Sequence, residues 1–539
     1  MPPPTLDQLL FPSQAHDVGG PATLSRLLGD LRRADLSIPN RLRSAAEDAA
    51  FVADVADALP ALPLVANERC GSWYVDPARK GGSAYFKSTD GHTGQWKFSL
   101  RRLNLHLLGL LGEFGGCIIV DSTRRGKRMP DALSKTIPTW CAVLNRFLFP
   151  SLPPSAHALH TPPDTVSASE SAQMAALLPS FLDAFRSLRP DDLVRAACRG
   201  RPLPTKPLRP VWITQDDREH LAGFAEGLAA LRRDWTVVIC CTSSRRCGAA
   251  HGGGGGGGSS SSEYEGRGYS YVQGAGDDTE NWAQGLTPGL FWRWRRELLD
   301  AAAVGEGEVE ALIRELVAEE KKEKEQDGHG HGAGGDGGGG GGREGEPQGD
   351  DRRRAWERVR EAVPGKRIYV GDLTALAGAA AWERDGACVV VVREKVTPPE
   401  EWVKGPRRVE VGLGKSKAAS RALRDALPVV CESVLRYLRQ GKKTPDDGAQ
   451  GQEDTRGGPP AVVVLCDSGR DLSIGVALAV YCWCLDDAGN LRREEDGDVS
   501  FNKTAIRIRL GHIMTALPDV NPGRATLQSV NSFLMDWRK

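Results

Sequence analysis

The stretch Ala461-Val-Val-Val-Leu-Cys466-Asp467-Ser468-Gly469-Arg470-Asp471-Leu472-Ser473-Ile474-Gly475 is an apolar strand, a tight polar turn and a helix start. Such a turn aims several backbone N–H groups and the positive helix end at one point, which holds a phosphate without many cations. Ser468, Gly469, Leu472 and Ser473 line the turn, and Arg470 adds a planar two-pronged donor. Cys466, at the strand end, is either an inert packed thiol or a nucleophile. Asp467 and Asp471 each put a carboxylate where it could orient or deprotonate an incoming hydroxyl, and Asp121 is a third candidate for that acid.

A second polar concentration lies far upstream. It comprises Asn67-Glu68-Arg69-Cys70-Gly71-Ser72-Trp73-Tyr74, Tyr85-Phe86-Lys87-Ser88-Thr89-Asp90-Gly91-His92 and Asp121-Ser122-Thr123-Arg124-Arg125-Gly126-Lys127-Arg128. Lys87 and His92 flank a Ser-Thr-Asp-Gly turn, and Arg124, Arg125, Lys127 and Arg128 form a short basic patch suited to RNA phosphates. Cys240-Cys-Thr-Ser-Ser-Arg-Arg246 follows another apolar strand and offers a third anion contact. Gly274-Ala-Gly-Asp-Asp278 is equally a plain turn or a magnesium loop. Phe291-Trp-Arg-Trp294 is read as core rather than a base-stacking platform.

The elements that must position these groups follow from hydrophobic spacing. A leucine face over 99–114 predicts a helix, and 117–120 a buried strand after it. In the C-terminal part, 367–370, 388–392 and 461–465 read as strands, and 416–438, 472–484 and 526–537 as helices. The class is α/β throughout, in two domains. Two low-complexity tracts, 252–262 and about 323–351, cannot pack, and helical spacing over 308–322 lies between them. The expected division is 1–303 with an insertion at 252–262, a helix and flexible linker over 304–351, and 352–539.

With 70 basic and 70 acidic residues the chain has no global positive field, so RNA binding requires cations gathered on one face. Its 12 cysteines include no Cys-x-x-Cys pair, which argues against structural zinc and a disulfide framework. Residues 1–12 lack the basic start and apolar stretch of a secretion signal, and no segment reaches spanning length. A cytoplasmic protein, read as a monomer, is expected.

Two resemblances sharpen this. The 461–475 loop partly resembles the dual-specificity phosphatases, which carry an arginine six residues after the nucleophilic cysteine. Here Leu472 stands at that position and the arginine comes four after Cys466. The upstream blocks, with Tyr271-Val-Gln-Gly-Ala-Gly-Asp-Asp278 and Asn521-Pro-Gly-Arg-Ala-Thr-Leu-Gln-Ser-Val-Asn531, resemble the fungal and plant initiator tRNA 2′-O-ribosyl phosphate transferases. That resemblance implies an N-terminal family-specific α/β domain joined to a C-terminal dual-specificity-phosphatase-like domain. It implies a pentosyltransferase with phosphoribosyl pyrophosphate as donor, Mg2+ as cofactor, and a T-stem purine of initiator methionine tRNA as acceptor. Two alternatives stay open: an atypical phosphatase acting on RNA or nucleotide phosphates, and a non-catalytic tRNA-binding protein.

Overall fold

The computed structural model describes residues 36–124, 126–247, 269–329, 349–440, 460–486, 489–492 and 501–536. Arg125 and the 252–262 tract lie outside them, as does most of the 323–351 tract. The chain divides into two compact units, each assembled from separate stretches: 1–97, 114–176 and 205–324 in the first, and 98–113, 177–204 and 325–539 in the second. Residues 98–113 and 177–204, which fall inside the expected first span, thus pack with the second unit.

The first unit is built on a five-stranded sheet, β1 (Leu64–Asn67), β2 (Lys80–Ala84), β3 (Gly116–Asp121), β4 (Leu208–Ile213) and β5 (Thr236–Thr242), in the order β2-β1-β3-β5-β4. All four pairings are parallel. Such sheets are covered on both faces and need continuous apolar strands. Cys117-Ile-Ile-Val120 and Val237-Val-Ile-Cys-Cys241 meet that requirement and are buried throughout. Helix α1 (Ile38–Ala58) turns Leu42, Ala45, Phe51, Val52 and Val55 inward at helical spacing. From β1 the order runs outward to β2, whereas from β3 it runs the opposite way to β5 and β4. The carboxyl ends of β1 and β3 therefore form a topological switch point, where open α/β sheets bind their ligands.

The second unit holds six strands: β6 (Arg360–Val363), β7 (Ile368–Asp372), β8 (Cys388–Arg393), β9 (Val403–Gly405), β10 (Arg408–Gly412) and β11 (Val462–Cys466). Their order is β6-β7-β11-β8-β10-β9, with the inner four parallel and the two edges antiparallel. Its helices include α2 (Ser416–Gln440), α3 (Leu472–Cys484), α4 (Lys503–Ala516) and α5 (Arg524–Asp536). Ser473 to Cys484 of α3 are all buried, so this helix is apolar on every side.

The strand and helix expectations hold to within about two residues at most ends, with one correction. The leucine helix runs only over His106–Phe114. Asn104 takes a left-handed conformation, φ +51°, and its Nδ2 donates to the Arg102 carbonyl at 3.0 Å. Arg102 in turn donates to the carbonyls of Pro518 (2.7 Å) and Val520 (3.0 Å). Those contacts fix an irregular entry where leucine spacing alone continues the helix. Glu306–His329 is helical, in line with the spacing over 308–322.

Burial gives the first unit a pH response. His160 packs edge-on to Trp235 with its Nε2 buried and without a hydrogen-bond partner, and burial, with the Arg209 guanidinium nearby, pushes its imidazole down to about 4. The folded value lies below the ordinary one of about 6.5, so the unfolded chain takes the proton first. Its contribution is complete above about pH 6.5 and declines as pH falls toward about 4. His160→Gln is expected to flatten the fall in melting temperature between about pH 7 and pH 5. An unchanged slope would assign that fall to other groups.

Candidate functional site

At the first unit's switch point, Asn67 closes β1 and Asp121 closes the neighbouring β3. Asn67 Nδ2 donates to Asp121 Oδ2 at 2.9 Å and to the Phe86 carbonyl at 3.0 Å, while Phe86 N–H donates to Asn67 Oδ1 at 2.8 Å. Arg69 reaches Asp121 Oδ1 at 2.9 Å and Asp277 Oδ1 at 2.7 Å, and donates to the Ser122 carbonyl. Cys70 Sγ and Ser122 N–H also lie on Asp121 Oδ1, at 3.1 and 2.8 Å. Asp121 is fully buried with both oxygens engaged. Gly71 is required by sterics, because a Cβ there would lie 2.4 Å from the Val120 carbonyl oxygen. The 274–278 loop thus contributes Asp277 as an ion-pair partner.

Beside it, His92, Lys127 and Arg128 line a cavity of about 700 Å3 together with Lys135 and Arg246. Its acids answer these cations. Lys127 and His92 lie 3.3 and 4.0 Å from Asp131, Arg128 is 3.0 Å from Asp164, and Lys135 is 2.7 Å from Glu170. Arg124 pairs with Asp278 and does not line the cavity, nor does Lys87, which is exposed and whose carbonyl accepts from Thr136 Oγ1 at 3.1 Å. Arg246 was foreshadowed by the 240–246 block. Lys135 had no sequence signal, since it sits in an Ala-Leu-Ser-Lys-Thr π-turn that reads as ordinary helix.

In the second unit the turn after β11 brings together Cys466, Asp467, Ser468, Gly469, Arg470, Asp471, Leu472 and Ser473, as expected. Gly469 has φ +61°, and a Cβ there would lie 2.8 Å from the Asp372 backbone nitrogen, so only glycine lets the turn close against β7. Cys466 is 2% exposed, its Sγ 3.2 Å from Ser473 Oγ. The Ser468 hydroxyl accepts from Arg470 N–H at 3.2 Å. The Arg470 side chain is exposed, with Nε 3.7 Å from Asp519. Asp471 Oδ1 accepts from Gly523 N–H and from Thr526 Oγ1, both at 2.7 Å, and so ties the turn to the Asn521-Pro-Gly-Arg524 segment. Asp467 is exposed, and desolvation together with the neighbouring Glu394 carboxylate holds its carboxyl above the usual range.

The family model described as the Rit1 N-terminal domain matches residues 31–318, and that described as the Rit1 DUSP-like domain matches 407–534. The chain belongs to the Rit1 family. Among relatives of this Rit1 chain, the tRNA A64-2'-O-ribosylphosphate transferase of Saccharomyces cerevisiae is 31% identical over 533 residues, covering 95% of both chains. An uncharacterised protein of Schizosaccharomyces pombe is 43% identical over 265 residues, covering 48% of this chain and 52% of its own. The crystal structure of human DUSP28 is matched over 34% of this chain and 96% of that one, at 14% identity and a TM-score of 0.21.

The DUSP-like domain of this Rit1 chain keeps the strand, turn and buried cysteine but departs in where the cations stand. Arginine is absent from the position of Leu472, and the thiol is buried beside Ser473. Cys466→Ser is therefore expected to retain most of the activity, because a thiol only 2% exposed is not presented as a nucleophile. A covalent adduct trapped on Cys466 during turnover would overturn this.

Proposed function

We propose that this chain transfers the 5-phosphoribosyl group of phosphoribosyl pyrophosphate to the 2′-hydroxyl of a T-stem purine of initiator methionine tRNA, barring that tRNA from elongation. The observation that carries the reading is the correspondence with the yeast tRNA ribosylphosphate transferase along 95% of both chains. A single shared domain would leave the activity open, whereas both units align here.

In this reading the turn of Ser468, Gly469, Arg470 and Ser473 holds a phosphate of the donor. The tRNA 2′-oxygen bonds to the ribose anomeric carbon as the bond from that carbon to pyrophosphate breaks, with inversion, and the hydroxyl proton passes to a carboxylate. Asp467 takes that role. Its carboxylate is exposed, and a raised affinity for protons suits a base. Asp471 and Asp121 are spent on other contacts. Positioning and fixed dipoles supply most of the rate in so dissociative a transfer. Lys87, His92, Arg124, Arg125, Lys127 and Arg128 contact tRNA phosphates.

Among the described residues, no three of His, Cys, Asp and Glu stand together in a set able to hold a metal ion, and Arg69 occupies the strand-end Asp121 and the loop acid Asp277. These residues do not fit a protein-held magnesium. Among the described residues no helix is long and apolar enough to cross a membrane. A cytoplasmic monomer is part of the proposal.

The test is direct. Purified chain is incubated with phosphoribosyl pyrophosphate and either initiator or elongator methionine tRNA, and nuclease digests are read by mass spectrometry. A 2′-O-phosphoribosyl purine in the initiator alone is expected. Unmodified tRNA in both arms would overturn the reading.

A further inference from the structure

The second unit contains a cavity of about 750 Å3 between α2 and α5 whose lining includes Arg421, Arg424, Arg524, Gln528 and Ser420, with Asp471 at its edge. Its charge differs in kind from that of the first unit's cavity, where Lys127, Arg128 and Lys135 are each paired with a carboxylate. Here three arginines meet one lining acid, and that acid already accepts from Gly523 N–H and Thr526 Oγ1. Arg421 and Arg524 are exposed and form no salt bridge among the described residues, and Arg424 has only a long contact, 3.9 Å, to the half-exposed Asp536. Exposed guanidinium groups left without a carboxylate keep their donors for phosphate oxygens.

The walls of this groove are fixed. Ser420 Oγ lies 3.1 Å from Thr526 Oγ1, and Ser529 Oγ donates to the Ser420 carbonyl at 2.6 Å. Gly475 of α3 lets α5 approach, since a Cβ there would sit 2.6 Å from Thr526 Cγ2. A hydrogen-bonded ladder from Asp471 through Thr526 and Ser420 to Ser529 therefore joins the turn after β11 to both helices that carry the arginines.

We propose that Arg421, Arg424 and Arg524 form a binding groove for the phosphodiester backbone of RNA, leading the acceptor strand to the turn after β11. The placement rests on the donor reading of that turn, because a transferred group and its acceptor must meet. The groove's phosphate affinity does not depend on it. Two sources could supply the phosphate chemistry, the RNA backbone and the pyrophosphate of the donor, and the arginines favour RNA. They are spread over two helices and stay in solvent, as serial contacts along a strand require, rather than converging on one desolvated point.

The test uses the full chain carrying R421Q, R424Q and R524Q together, with circular dichroism confirming the fold. Initiator tRNA binding is titrated across salt, and donor binding is followed by calorimetry with phosphoribosyl pyrophosphate. The expected result is a roughly tenfold or greater loss of tRNA affinity at ~0.1 M salt, and a salt dependence shallower by up to about 0.9 in log–log slope for each phosphate no longer neutralised. Donor binding should be unchanged. The corresponding triple lysine variant should recover part of the salt slope, because point charges still release counterions. Weakened donor binding with tRNA binding intact, or no change in either, would overturn the proposal. Failure of the transfer assay with tRNA binding still dependent on the arginines would remove the activity and leave the groove standing.

Discussion

Arg69→Leu is expected to destabilise the first unit by about 3–5 kcal/mol, the cost of leaving buried carboxylates without their cation. Asp121 is fully buried and the Asp277 side chain is 4% exposed, so neither recovers much hydration when the guanidinium goes. Arg69 also donates to the Ser122 carbonyl, which stabilises the loop leaving β3. Chemical denaturation of the purified chain measures the effect, and the double variant Arg69→Leu with Asp121→Asn supplies the control. Neutralising Asp121 removes one buried charge, so the pair should be less destabilised than the sum of its members. A loss below about 1 kcal/mol in the single variant would mean that water reaches the strand ends and that the ion pairs are worth no more than surface ones.

Asp471→Ala is expected to lower transfer by about a hundredfold or more, the scale of a small misplacement at a reacting centre. Removing the carboxylate leaves Gly523 N–H and Thr526 Oγ1 without their acceptor and detaches the turn after β11 from the start of α5. The stability loss should be modest, about 1–3 kcal/mol, so most of the activity loss is positional. Asp471→Asn separates the two roles this residue could have. An amide oxygen still accepts both hydrogen bonds but is no base. Retention of most activity by the Asn variant, with unchanged pH dependence, marks Asp471 as a latch. Loss equal to that of Asp471→Ala would make it the proton acceptor and displace Asp467.

What could be read from sequence was whatever is local. The strand, turn and helix over 461–484 lie within one continuous stretch whose apolar run, glycine and polar turn leave few alternatives, and they appear as expected. The leucine face at 99–114 misled because its first turn is set by Asn104 and by carbonyls more than 400 positions away. The site's charge pairing is equally remote. Arg69 and Asp277 are separated by 208 positions and Asp471 and Thr526 by 55, and no periodicity marks such partners. Asn67 and Arg69 stood in a block visible as unusually polar, but their task of closing the strand ends needed β1 and β3 to be adjacent. The arginine groove was invisible for the same reason. Two helices could be drawn from their spacing, yet nothing in either says that Arg421 and Arg524 line one cavity.

The interleaving of the two units imposes a timetable on synthesis. A ribosome releases 98–113 and 177–204 long before the sheet of their own unit exists, because its central strand, β11, and helix α3 behind it come only after residue 460. Until then the strand and helix that complete the second unit's core are missing. The early stretches of the second unit thus wait for the rest of their unit through most of translation, a period in which chaperones shield unfinished surfaces. Cutting the gene near its midpoint separates 98–113 and 177–204 from the remaining stretch of their unit, so fragments taken at that boundary divide one compact unit between them.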